Sequence, residues 1–231
     1  MLTLQKCETK AIATRQEPEG QGIPFRLVRE LLIAPEYGSI CSVSTKMLFY
    51  TGCRITELDN MDKRKIYQNF IYWKCGKNQH GWRKEYLPPQ YIAELEYYWK
   101  RNKTPQDKIF GVSSATYCRY WRKEIRPKLS PEWQEHIAII NGDELEEIYK
   151  YVLKGLRKNF ATLLFCYFWK KYKDASIALE KVSKRMKHSS KHMTANHYIE
   201  TIEQIDAEKY MHLMPFEIIE QAIQTRMTEY I

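Results

Sequence analysis

The six cysteines, Cys7, Cys41, Cys53, Cys75, Cys118 and Cys166, include no CxxC pair. Their scattered spacing excludes a zinc ribbon or a secreted disulfide framework and points to a reducing compartment. A signal-peptide pattern is missing, as is an apolar run long enough to span a bilayer, so a soluble, cytoplasmic protein is expected. Internal repeats and low-complexity tracts are also absent, which excludes a solenoid or a collagen-like chain. Acidic residues are in deficit: 28 Asp and Glu stand against 37 Lys and Arg, a formal net charge of +9 and a pI of about 9.1. That balance suits a polyanionic partner, because each neutralised phosphate releases counterions, and it suits equally well a solvated basic surface with no partner. With 231 residues, 44% of them hydrophobic, the chain can bury one substantial core.

Residues 1–22 are polar, end in Glu17-Pro18-Glu19-Gly20-Gln21-Gly22, and read as a tail or linker stub. From Pro24 the pattern is helical, with Phe25, Val28, Leu31 and Leu32 on one stripe. A second helix is expected over Ser42 to Tyr50, with Gly52 breaking it and Arg54 opening a new turn. Between Lys65 and Leu87 the β-formers Ile66, Tyr67, Phe70, Ile71, Tyr72 and Trp73 predict an antiparallel hairpin, its turn bracketed by Gly76 and Gly81. Pro88 and Pro89 can open a helix whose inner face is Ile92, Leu95 and Trp99, ended by Asn102 to Pro105. Beyond Ser114 the pattern is helical, broken at Pro127, Pro131 and Asn141-Gly142-Asp143. A long helix is expected from Leu145 to Tyr172, then one capped by Asp174 with apolar positions Ile177, Leu179, Val182 and Met186. Ser190 is a cap for a short helix carrying Tyr198, and amphipathic stretches follow to Ile231.

Four short segments carry chemistry. Thr51-Gly52-Cys53-Arg54-Ile55-Thr56-Glu57-Leu58 places Arg54 just after a glycine and Glu57 within reach of it. Taken alone, this is also the spacing of a surface ion pair worth less than about 1 kcal/mol. Leu153 to Thr162 puts Lys154 and Arg157 three apart on one side of a helix, and Lys187-His188-Ser189-Ser190 forms a polar turn ten residues before Tyr198. By themselves such a histidine is most often solvated, and Tyr198 is one of seventeen tyrosines. Lys77, and nearby Lys74, lie in the hairpin, where lysines are usually exposed. His188, His192 and His197 have a four-then-five spacing, but no cysteine or carboxylate completes a metal set, so neither metal nor cofactor is expected.

As an ordered set, these segments resemble the active site of the tyrosine recombinases, the phage-type integrases, over roughly Pro24 to Ile199. Leu156, Arg157, Phe160, Ala161 and Thr162 match the second arginine box, with Lys154 and Lys158 standing where the family usually has histidines, a lysine use similar to that of integrases of archaeal viruses and plasmids. Lys187 replaces the glycine of the family's Gly-His-Ser-Ser turn, and Tyr198 follows one residue later than usual. The resemblance implies a mainly α (α+β) fold, helical with a small antiparallel sheet: a tail over 1–22, a catalytic domain over 23–199, and a C-terminal helical segment over 200–231 that is a candidate for docking between subunits. It implies a nucleophile in Tyr198, phosphate binding by Arg54, Lys154, Arg157 and His188, a supporting Glu57, and a general acid in Lys77 or Lys74. Double-stranded DNA attachment sites, a tetramer on DNA, and integration or excision of a mobile or viral genome are the implied partners and outcome. The 53 residues before Arg54 are too few for the family's separate DNA-clamping domain, which leaves a catalytic fragment, a split-gene product or a minimal member. Two other expectations fit the residues: type IB topoisomerase-like relaxation, and a degenerate homologue that binds DNA without cutting it.

Overall fold

Helix α1 (Phe25–Ile33) begins directly after Pro24 and buries Phe25, Leu27, Val28, Leu31 and Leu32. The computed structural model describes residues 23–75, 81–135, 148–188 and 194, with the side chains of 148–153 excepted. Helix α2 (Ile40–Thr51) starts two residues earlier than its apolar pattern predicts, because the Ser39 hydroxyl accepts the Ser42 N–H and caps it. From Cys41 to Thr51 every residue of α2 is buried. A helix covered on all sides is the centre of a fold rather than its rind.

Two short 3₁₀ turns (Ile55–Asn60 and Lys63–Lys65) lead into the sheet. The expected hairpin is in fact three antiparallel strands, β1 (Ile66–Tyr67), β2 (Phe70–Lys74) and β3 (Trp82–Tyr86), in the order β1-β2-β3. Gln68 and Asn69 make the additional turn, both at positive φ, 47° and 63°. This two-residue geometry usually advertises itself with a glycine, and the chain has none there. Register pairs Tyr67 with Phe70, Phe70 with Tyr86, Tyr72 with Lys84, Trp73 with Arg83 and Lys74 with Trp82. Alternation then buries Ile71, Trp73, Arg83 and Glu85 on the inner face.

Helix α3 (Pro89–Asn102) has proline in its first turn and ends at Lys103. Its buried face is Tyr91, Glu94, Leu95 and Tyr98; Ile92 and Trp99 are only partly buried against the same core. The face is rotated from the expected one because Glu94 is drawn inward. Its carboxylate holds Lys46 Nζ at 2.7 Å and accepts from the Ser42 hydroxyl at 2.5 Å and the Gly38 N–H at 3.1 Å.

Helix α4 (Ser114–Tyr120), capped by Ser113, runs through a π turn at Trp121–Ile125 into a 3₁₀ turn at Arg126–Lys128 that contains Pro127. Helices α5 (Ile148–Tyr172) and α6 (Ala175–Met186) form an antiparallel pair. A second apolar cluster, Phe160, Ala161, Leu164, Phe165, Ala178, Val182 and Met186, joins them. The Asp174 carboxylate caps α6 as expected, accepting the Ile177 N–H at 2.9 Å, but Ile177 itself is exposed and Ala178 and Ser183 take its place on the buried side. The expected tail over 1–22 and the segment over 200–231 lie outside the described residues. No helix among the described residues is long and apolar enough to cross a membrane. The architecture is therefore mainly helical, with one small three-stranded antiparallel sheet.

Removing one partner of the Lys46–Glu94 pair leaves a buried charge, and such changes cost about 3–5 kcal/mol. Glu94→Ala is expected to fall in that range by urea denaturation, and the double variant Lys46→Met/Glu94→Leu to recover most of the loss.

Candidate active site

Helix α2 ends at Gly52, which adopts the left-handed conformation (φ 55°). A Cβ added there would lie 2.7 Å from Cγ of Phe160 on α5. Glycine thus lets the end of α2 sit directly against α5, and the carbonyls of that end point at two arginines. Arg83, on the inner face of β3, donates to Thr51 O at 2.6 Å and to Gly52 O at 3.3 Å. Arg157, on α5, donates through Nη1 to the same Gly52 carbonyl. Unpaired carbonyls at a helix C-terminus carry partial negative charge, so both guanidiniums are anchored by the dipole as well as by hydrogen bonds.

From this anchor Arg157 reaches α6. Its Nη2 donates to Met186 O at 3.3 Å and lies 3.3 Å from His188 Nε2. A guanidinium has no acceptor, so Nε2 must accept, and Nδ1 carries the proton toward Thr194 Oγ1 at 3.0 Å. His188 is held further by its own N–H, which donates to Ser183 O at 3.0 Å, across a turn in which Lys187 has φ 55°. That is the left-handed position that a glycine fills without steric cost.

Arg54 follows Gly52 by two residues, as the residue before the Ile55–Asn60 turn. Glu57 accepts its backbone N–H at 3.2 Å and its Nη1 at 3.2 Å. The carboxylate is 2% exposed while the Arg54 side chain is 42% exposed, so the pair presents its cation outward and hides its anion. Trp73 Nε1 also donates to Glu57, at 3.1 Å. Burial pushes the Glu57 carboxyl up, but the Trp73 N–H, the charges of Arg157 and Arg83 and the Arg54 N–H together hold it below the ordinary glutamate value. The neighbouring Cys53 thiol is pushed up to about 12, chiefly by burial, and is not a nucleophile. All five cysteines among the described residues are buried.

Arg54, Glu57, Arg157 and His188 are therefore gathered around Gly52. Lys154 is on the exposed side of α5, whereas Arg157 is turned inward. Lys74 is exposed at the end of β2, on the face opposite Trp73. Lys77 and Tyr198 lie outside the described residues, as do His192 and His197; no group of three metal-ligating side chains occurs among the described residues.

Sequence reading missed Arg83, Glu85 and Arg185. Arg83 ion-pairs with Glu85 at 3.2 Å, and Glu85 in turn binds Arg185 of α6 at 3.0 and 2.5 Å. The chain β3–α6 of charges fixes the turn that carries His188 relative to the sheet. A signal was present: in Trp82-Arg83-Lys84-Glu85-Tyr86 the period of two places Arg83 and Glu85 on one face, the face that Ile71 and Trp73 mark as inner. Lys187 was also unassigned, and its Nζ would lie 3.7 Å from a Cβ at Gly81, at the end of the β2–β3 connection.

No protein-family model matches the chain, and no curated protein matches its sequence. Among solved structures it is similar to one described as the crystal structure of XerA recombinase, at 17% identity and a TM-score of 0.48, over 95% of this chain and 67% of that one.

Two measurements test this geometry. Lys187→Gly is expected to raise stability by about 1 kcal/mol, the cost of a left-handed non-glycine residue, read from the denaturant midpoint. Because the Glu57 carboxyl is depressed in the folded state, the stability it contributes is present above its unfolded value of about 4.3 and is lost as pH falls through the folded value. Glu57→Gln should therefore be less stable than the parent at pH 7, with the gap closing in the acid range below about pH 4.

Proposed function

We propose that the chain is a tyrosine recombinase-type enzyme that cleaves and rejoins DNA at specific sites. The observation that supports it most is the meeting of Arg157 with His188 at 3.3 Å, beside an Arg54 that Glu57 orients, from segments that lie 31 and more than a hundred residues apart in the chain. Two guanidiniums and an imidazole carried on segments that adjoin Gly52 or reach it through Arg157 are a candidate binding set for the non-bridging oxygens of a phosphodiester. Arginine keeps its charge and matches phosphate with a planar fork, and prearranged donors of this kind stabilise the charge that builds in the transition state.

In the proposed reaction the Tyr198 hydroxyl oxygen forms a bond to the scissile phosphorus, and the bond from phosphorus to the 5′ oxygen breaks. Tyr198 gives up its phenolic proton to solvent as the bond to phosphorus forms, because a reference pKa near 10 keeps it protonated beforehand. The leaving 5′ oxygen takes a proton from Lys77 or, failing that, Lys74. One phosphoester replaces another, so the bond energy is kept in the 3′-phosphotyrosyl link and the freed 5′ hydroxyl can attack a second duplex. Lys154 adds positive charge at the rim. His188 reaches the phosphate as a donor only after its Nε2 gains a proton or its ring turns away from Arg157. Assembly of four protomers on two duplexes, and integration or excision of a mobile or viral genome, complete the proposal.

Incubation of the protein with DNA from around its own gene, in EDTA, followed by an SDS quench, is expected to yield a covalent protein–DNA adduct that Tyr198→Phe abolishes. Arg157→Ala should lower its rate of formation by at least about a hundredfold. Salt-sensitive binding without any adduct would sink the enzyme reading and leave a DNA-binding homologue. Relaxation of any supercoiled plasmid irrespective of sequence would assign a topoisomerase instead.

A further inference from the structure

Apart from Lys74 at its edge, the alternative general acid, the face of the sheet opposite the active-site residues takes no part in the chemistry above, yet its composition is unusual. Strand alternation and register bring five aromatic rings to it: Tyr67, Phe70 and Tyr86 in one cross-strand row, then Tyr72, then Trp82. Tyr67 is 65% exposed and Trp82 53%, large values for such side chains. Lys84 sits among them, its Nζ 4.0 Å from the Phe70 ring centre and 5.3 Å from that of Tyr72, and Lys65 lies 5.6 Å from the Trp82 ring. Lys74 closes the row opposite Trp82. No strand residue on this outward face is acidic.

We propose that this outer face is a stacking platform for single-stranded DNA, and it rests on the reading above in taking DNA as the nucleic acid and the His188 turn as part of the cleavage site. Three physical points favour that occupant. Flat rings on a sheet can stack on base faces, which a single strand offers and a duplex hides; lysines between the rings meet the phosphates that such bases bring with them. A protein partner is disfavoured because buried interface cores are depleted of lysine, and here Lys84 is central. The platform is also placed where an opened strand would arrive, since its Trp82 end adjoins Gly81, which lies beside Lys187 of the His188 turn.

The test uses fluorescence anisotropy with a labelled oligothymidine of about 15 nucleotides and a blunt duplex of the same length. Tyr67→Ala/Trp82→Ala is compared with the parent, because both side chains are more than half exposed and their loss leaves the core intact. Single-strand affinity is expected to fall at least about fivefold, with duplex affinity unchanged. Trp82→Leu, which keeps apolar bulk but removes the ring face, should show a loss of the same sign, and Lys84→Gln should reduce the magnitude of the salt slope by about one. No single-strand binding by the parent, equal single-strand affinity in parent and variants, or an equal loss on the duplex each overturns the proposal. So does a change in sedimentation of the protein alone at unchanged single-strand affinity, which would assign the face to a second copy. Adduct formation is scored in parallel: single-strand loss without any adduct in the parent keeps the platform and removes the recombinase, whereas adducts with unaltered single-strand affinity do the reverse.

Discussion

Everything in the site hangs on one carbonyl oxygen. Gly52 O receives both Arg83 from the sheet and Arg157 from α5, so strand, central helix and long helix are pinned at one point. A guanidinium that donates to fixed backbone carbonyls loses little further freedom when a ligand arrives, and preorganisation of that kind is the main means by which charge lowers a barrier. The same anchor explains why glycine stands at residue 52. A side chain there would both strain the backbone and collide with Phe160.

Buried charge is the second theme. Glu57, Glu85 and Glu94 are each 3% exposed or less, and each is answered by a cation: Arg54 three residues before Glu57, Arg83 of the same strand together with Arg185 of α6 for Glu85, and Lys46 of α2 for Glu94. Hydrophobic contacts would hold these elements together without fixing how far one slides along another. Directional pairs fix it, although a buried pair adds little net stability over an apolar substitute.

Much of this was legible in the sequence where periodicity and punctuation agree. The stripe of α1, the proline start of α3, the Asp174 cap and the break at Gly52 all follow from local chemistry. The third strand escaped notice because Gln68 and Asn69 make a left-handed turn without glycine. The buried face of α3 is rotated from Ile92, Leu95 and Trp99 toward Glu94, because Lys46 and Ser42 supply that carboxylate with partners from α2. Arg54, Glu57, Arg157 and His188 were singled out as candidates by their order along the chain; the structure adds that Arg157 links Gly52 to His188 and that Glu57 holds Arg54 two residues beyond Gly52. Arg83 and Glu85 escaped because strand register, on which their inward direction depends, is a property of paired segments rather than of one.

The wholly buried α2 bears on how the molecule breathes. Amide groups of a helix enclosed on every side exchange with solvent only through large-scale opening, whereas exposed turns and helix ends exchange through small local fluctuations. Gly52 terminates that slow-exchanging helix, so the arginine anchor belongs to the last part of the molecule to open. The anchor therefore keeps its shape through the many small local openings that exposed turns and helix ends undergo.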